Sequence, residues 1–239
     1  MTIMTGYEQV SAGADGAFDA YCSVPDGGRG PGVLVFQEIF GINDNMRALA
    51  DRLAEAGYVA LVPDMFWRLE RRFERNGESQ IQDAFAMIGR YDFAWAGPDI
   101  AATHAHLVGM DACTGSVGAV GFCFGGTLAF AAAALSEVDG RGIDAAVSYY
   151  GSATNEQLDL LDRVTCPLLF HYGDSDPFIP LEKVVEVERA AEGRPDVEVL
   201  RYPGAGHAFS NADAPSMYRA DAAELAWSRT LEHFATHLT

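Results

Sequence analysis

A thiol between glycines, a carboxylate before a proline and a histidine after a glycine stand at Cys123, Asp176 and His207. A thiol becomes a strong nucleophile when a base takes its proton. The base works best when a carboxylate fixes its tautomer, so these three residue types could carry out acyl transfer. Cys123 lies in the run Val117-Gly118-Ala119-Val120-Gly121-Phe122-Cys123-Phe124-Gly125-Gly126. An apolar stretch of strand type stops at Gly121, and Thr127 to Leu135 is a strong helix former. Glycines at 121 and 125 suit a strained turn in which side chains would collide with their neighbours. The helix start points backbone N–H groups at the thiol, which favours a thiolate and a developing oxyanion. The plain alternative is a buried cysteine in a glycine-rich turn, because G-x-C-x-G is short.

The other two members decide between these readings. Asp176 follows a buried run and precedes Pro177, which fixes it at a strand end. It is the candidate acid that orients His207, and Asp174 is assigned to shaping the turn. His207 follows Gly206 just after the last strand-like run, where it can act as base. His104, His106, His233 and His237 fall on helical segments and read as surface or half-buried, while His171 reads as a core histidine within a strand. Glu38 lies just past another buried strand, so partial desolvation should raise its pKa. Near Cys123 it could hold the thiol proton while the site is empty. The alternative is an ion pair with an arginine of the 68–75 segment. The backbone N–H groups of Ile39 and Phe124 are placed to form an oxyanion hole.

These loops need a scaffold that gathers strand ends. Two short strands are expected at 7–11 and 17–23, joined by a Gly-Ala-Asp-Gly turn. Val33-Leu34-Val35-Phe36 has the continuous apolar character of a strand buried on both faces. Asn43 or Asp44 can cap a helix running to about Gly57, and Tyr58 to Val62 is the next strand. Residues 65–95 behave differently. Arg68, Arg71, Arg72 and Arg75 crowd together with Phe66, Trp67 and Phe73, and a helical segment follows near 79–90. This reads as an excursion over the top of the sheet, which makes those arginines and Phe85 substrate-binding candidates. A helix from Pro98 to about Met110, strands at 143–149, 167–172 and 197–202, a short helix at 155–161, a helix at 181–191 and a long one from about Ser216 to His237 complete the alternation. Strands and helices at such spacing predict an α/β fold over 1–239, a doubly wound, mostly parallel sheet in one domain.

Bulk properties narrow the partners. The chain has 239 residues, 49% of them apolar, enough for a sizeable core. Sixteen basic residues against 34 acidic give a net charge of −18, which argues against nucleic acid and anionic lipid as partners. Cys22, Cys113, Cys123 and Cys166 are widely spaced, unlike a zinc site or a secreted disulfide framework, so no metal or cofactor is expected. Met1 to Val10 lacks the pattern of a signal peptide, and no apolar run reaches spanning length. The expectation is a cytoplasmic protein with no membrane partner, a monomer or small homo-oligomer, acting on a small molecule.

In chain order the candidates run nucleophile, acid, histidine, the order found in α/β-hydrolases. Gln37-Glu38-Ile39-Phe40-Gly41, the Cys123 turn, Gly173-Asp174-Ser175-Asp176-Pro177-Phe178-Ile179-Pro180 and Ala205-Gly206-His207-Ala208-Phe209 together resemble the motifs of the dienelactone hydrolase (carboxymethylenebutenolidase) family over nearly the whole chain. The resemblance implies an α/β-hydrolase domain without a separate lid domain. It also implies hydrolysis of a small ester or lactone through a Cys123–His207–Asp176 triad and an acyl-enzyme, with Glu38 moving toward or away from Cys123. Dienelactone-cleaving members hold the substrate carboxylate with two arginines. Here Asn211 stands where one is expected, and the 68–75 segment offers no unambiguous counterpart of the other. The chemistry therefore carries over better than the dienelactone substrate.

Overall fold

The computed structural model describes residues 2–239. Its strands are β1 (Met4–Ser11), β2 (Ala17–Val24), β3 (Gly30–Phe36), β4 (Val59–Pro63), β5 (Cys113–Phe122), a small hairpin of β6 (Glu137–Val138) and β7 (Arg141–Gly142), β8 (Ala145–Tyr149), β9 (Leu168–Gly173) and β10 (Val197–Tyr202). Eight of them form one sheet in the order β1-β2-β4-β3-β5-β8-β9-β10. β1 pairs antiparallel with β2, and β2 antiparallel with β4. From β4 to β10 all neighbours are parallel. Val33, Leu34, Val35 and Phe36 are fully buried, as a strand covered on both faces requires.

The helices are α1 (Asp44–Glu55), α2 (Ile81–Ile88), α3 (Ala96–Gly109), α4 (Phe124–Leu135), α5 (Leu181–Ala191) and α6 (Ala220–His237). They cover both faces, as two glycines reveal. Gly32 lies opposite Val117 in the β3/β5 register, so Gly118, one residue on, faces the other side. A Cβ at Gly32 would meet Leu107 of α3, and one at Gly118 would meet Phe234 of α6. Asn43 caps α1, its Oδ1 accepting from the Met46 N–H at 3.1 Å. Met46, Leu49, Ala50 and Leu53 turn inward at helical spacing.

Two expectations are adjusted. The last helix begins at Ala220 rather than near Ser216, because residues 214–219 turn and Arg219 N–H donates to Phe209 O. His104 is buried where α3 packs on α4, with Nδ1 3.0 Å from Ser136 Oγ, and burial lowers its pKa.

The excursion after β4 is anchored at both ends. The Asp64 carboxylate accepts from the N–H groups of Phe66 and Arg72. Further on, Arg75 N–H donates to Phe40 O, and the Asn43 side chain donates to Arg75 O. Phe66 stacks on Phe124 at 5.7 Å, tying the excursion to the start of α4. Beyond these contacts α2 lies over the carboxyl ends of β3 and β5, where its Ile81, Phe85 and Ile88 face Glu38 and Cys123 across one cavity. Strand order reverses there, and parallel sheets open a crevice at such a point.

Candidate active site

At the end of β5 the chain enters α4 through Cys123, whose φ of 55° and ψ of −118° are strained for a residue with a side chain. Its N–H donates to Tyr149 O at 3.0 Å, and its carbonyl accepts from Gly126 N–H at 2.9 Å. The glycines are required by contact. A Cβ at Gly121 would lie 1.8 Å from Gly125 O, and one at Gly125 would lie 2.1 Å from Phe36 O. Among the four free cysteines Cys123 alone is partly accessible. Burial pushes the Cys22 and Cys166 thiols up to about 12, which leaves them poor nucleophiles.

β9 and β10 deliver the acid and the histidine. His207 Nδ1 lies 2.7 Å from Asp176 Oδ2. A carboxylate only accepts, so Nδ1 carries the proton and Nε2 is left for the cavity. Asp176 Oδ1 accepts from the N–H groups of Phe178 (2.7 Å) and Ile179 (3.0 Å), which fixes the carboxylate. Asp174 instead staples two loops, its Oδ1 accepting from Gly204 N–H and Ser175 Oγ. Burial pulls the His207 pKa down. The interactions with Cys123 and with the hydrogen-bonded Asp176 outweigh it and raise the value to about 10.

Glu38 is buried at the end of β3, and desolvation raises its pKa against the opposing effects of His207, Asn211 and Tyr150. Its Oε1 accepts from Tyr150 OH at 3.3 Å, and its Oε2 accepts from Asn211 Nδ2. The alternative reading, an ion pair between Glu38 and the 68–75 segment, is not what the structure has. Arg68 pairs with Asp99 and Asp15, Arg72 with Asp19, and Arg75 with Asp83, while Arg71 donates to Ala17 O. None of these four arginines lines the cavity: Asp99 on α3, Asp15 just before β2, Asp19 on β2, Asp83 on α2 and the Ala17 carbonyl hold them away. Asn211 does not line it either, since its side chain is spent on Glu38.

Cys123, His207 and Glu38 share one cavity of about 180 Å³. Phe85 lines it, as do Ile39 and Phe124, whose backbone N–H groups have no hydrogen-bond acceptor among the described residues. Two such donors beside a thiol can stabilise a tetrahedral oxyanion. Three contributors were missed in the sequence. Tyr150, at φ 36°, contacts Glu38 and places its ring 5.1 Å from that of His207. Its position one residue past β8 is the signal that could have found it. Phe178 and Glu78 also line the cavity, and only the packing of loops remote in sequence brings them there. Among the described residues no group of three His, Cys, Asp or Glu side chains is arranged to hold a metal.

A strained turn after a central parallel strand, facing loops from the later strands, defines an α/β-hydrolase. The model of the dienelactone hydrolase family matches residues 18–238, and the chain belongs to that family. It is therefore a hydrolase acting on an ester or lactone of small size. It is 35% identical over 226 residues to carboxymethylenebutenolidase of Pseudomonas sp. (strain P51), covering 93% of this chain and 92% of that one. It is 33% identical to the enzyme of the same name from Pseudomonas putida, over 91% of each chain. Among solved structures, a dienelactone hydrolase-like promiscuous phosphotriesterase from metagenomic libraries superposes with a TM-score of 0.81 at 26% identity, over all of both chains. No helix among the described residues is long and apolar enough to cross a membrane.

Proposed function

We propose that the protein hydrolyses its ester or lactone through a Cys123–His207–Asp176 triad and a thioester acyl-enzyme. The observation that carries this reading is the strained, partly accessible Cys123 in one cavity with a His207 oriented by Asp176. His207 takes the thiol proton, with Glu38 as the second group able to hold it. The Cys123 thiolate attacks the carbonyl carbon, and the C=O π electrons move to an oxygen held by the N–H groups of Ile39 and Phe124. Collapse breaks the C–O bond, and the His207 imidazolium protonates the departing alkoxide, which in a lactone stays tethered. Water then loses a proton to His207 and attacks the thioester. The acid leaves and the thiolate returns. Such chemistry suits a reducing compartment, the cytoplasm, where thiols persist.

The test is hydrolysis of neutral aryl esters and lactones by wild type, Cys123→Ala and Cys123→Ser, with mass spectrometry of the quenched enzyme. Cys123→Ala is expected to lose at least about 10³-fold in kcat/KM, and wild type to carry the acyl mass on Cys123. Full activity in Cys123→Ala would sink the proposal.

A further inference from the structure

Beyond His207, the ionisable side chains that line the cavity are acids and the nucleophilic thiol, with no arginine or lysine of the described residues among them. Around Cys123 and His207 the walls are built largely from apolar side chains such as Ile81, Ile88, Phe93 and Met217. Glu38 and Glu78 are the acids. Glu38 is engaged by Tyr150 and Asn211 at the inner end. Glu78 comes from the turn just before α2, and its Oε1 accepts both Ser216 N–H (2.8 Å) and Ser216 Oγ (2.7 Å). Those two bonds hold the carboxylate at the cavity wall and link the excursion to the loop after β10. At the same opening, Phe85 and Phe178 stand 6.3 Å apart, centroid to centroid, and are 42% and 49% exposed. Large aromatic faces left this open are covered favourably by an apolar ligand.

We infer that the site selects a neutral ester or lactone with an apolar acyl or aryl group, and that Glu78 is the residue that rejects carboxylate-bearing substrates. This rests on the ester-hydrolase reading above. A substrate carboxylate entering the cavity would leave water without meeting an arginine or lysine, the His207 ring being already engaged by Asp176, and would approach a carboxylate of its own sign at Glu78. The apolar part of a neutral substrate would instead rest between Phe85 and Phe178. Repulsion across a partly wet cavity of this size amounts to roughly tenfold in rate, and salt weakens it.

The experiment compares p-nitrophenyl hexanoate with the p-nitrophenyl half-ester of adipate, which replaces the terminal methyl by a carboxylate. Each is corrected for spontaneous hydrolysis and measured at pH 7 in low and in high salt. Wild type is expected to favour the hexanoate in kcat/KM by about tenfold or more at low salt. Glu78→Gln, which keeps the oxygen that accepts from Ser216, should narrow that ratio by about threefold or more, and so should high salt in wild type. A ratio near one, or one favouring the adipate half-ester, overturns the inference. A ratio unmoved by Glu78→Gln overturns the role of Glu78 whatever salt does, since the net charge of −18 also responds to salt. If Glu78→Gln fails to fold, Glu78→Ser takes its place with the same expected narrowing. Turnover of the hexanoate without discrimination sinks the selectivity alone, whereas turnover of neither ester sinks the hydrolase reading with it.

Discussion

At the scale of single residues, His207 concentrates the electrostatics of the site. Burial opposes its charged form, and it is the interaction with Cys123, followed by that with Asp176, that lifts it to about 10. Removing one partner should be visible. In Cys123→Ala the imidazole is expected to titrate well below 10, followed by nitrogen chemical shifts in NMR. A titration that stays at about 10 would assign the whole effect to Asp176. The sign for stability follows from linkage. The folded pKa lies above the ordinary value near 6.5, so the stabilisation by His207 is fully present below that pH and is lost as pH rises through about 10. The strained backbone at Cys123 and Tyr150 belongs to the same scale. Two non-glycine residues with positive φ stand side by side at the ends of β5 and β8, held by surrounding hydrogen bonds.

Secondary-structure elements act by how closely they approach. The start of α4 lies against the end of β3 so tightly that a Cβ at Gly125 would fall 2.1 Å from a backbone carbonyl. Gly125→Ala is therefore expected to cost about 1–3 kcal/mol, to lower Tm by several degrees, and to depress kcat by displacing Cys123 from Ile39 and His207. Gly97, near the start of α3, is the control. A Cβ there meets nothing within 4 Å, so Gly97→Ala should leave kcat alone and stabilise by about 0.4–1 kcal/mol. Thermal melts and a single steady-state assay check both. Equal behaviour of the two variants would remove the packing argument for the turn. The excursion is an element of the same kind. Arg68 and Arg72 pin it to acids on neighbouring segments, and its Ile81, Phe85, Ile88 and Phe93 form part of the cavity wall.

For the whole molecule, the net charge of −18 dominates long-range behaviour. Thirty-four acidic side chains repel one another across the surface, and the repulsion is screened within about 10 Å at 0.1 M salt. Raising sodium chloride from about 20 mM to 300 mM at pH 7 is expected to raise Tm by a few degrees. A fall in Tm over that range would mean that the ion pairs of the excursion outweigh the general repulsion. The same field acts on anionic substrates before they reach the cavity, in the direction argued for Glu78.

Local chemistry determined much of this protein in the sequence alone. A continuous apolar run, a glycine-bounded thiol, an aspartate before proline and a histidine after glycine each have a meaning that depends on near neighbours. Strand ends therefore located Glu38, Cys123, Asp176 and His207, and regular alternation indicated the parallel sheet. Side-chain partners separated by long stretches of chain were decided only in the tertiary structure. Arg68 to Arg75 looked like free cations because the acids that bind three of them lie at 15, 19, 83 and 99. Asn211 looked like a substrate contact because Glu38, its partner, is 173 residues away. Glu78, Phe178 and Tyr150 reach the site from three different loops, and no spacing along the chain encodes that meeting. Periodicity records which face of an element is buried. Which charges neutralise one another, and so which charge is left facing the substrate, depends on distances that exist only once the sheet has gathered its loops.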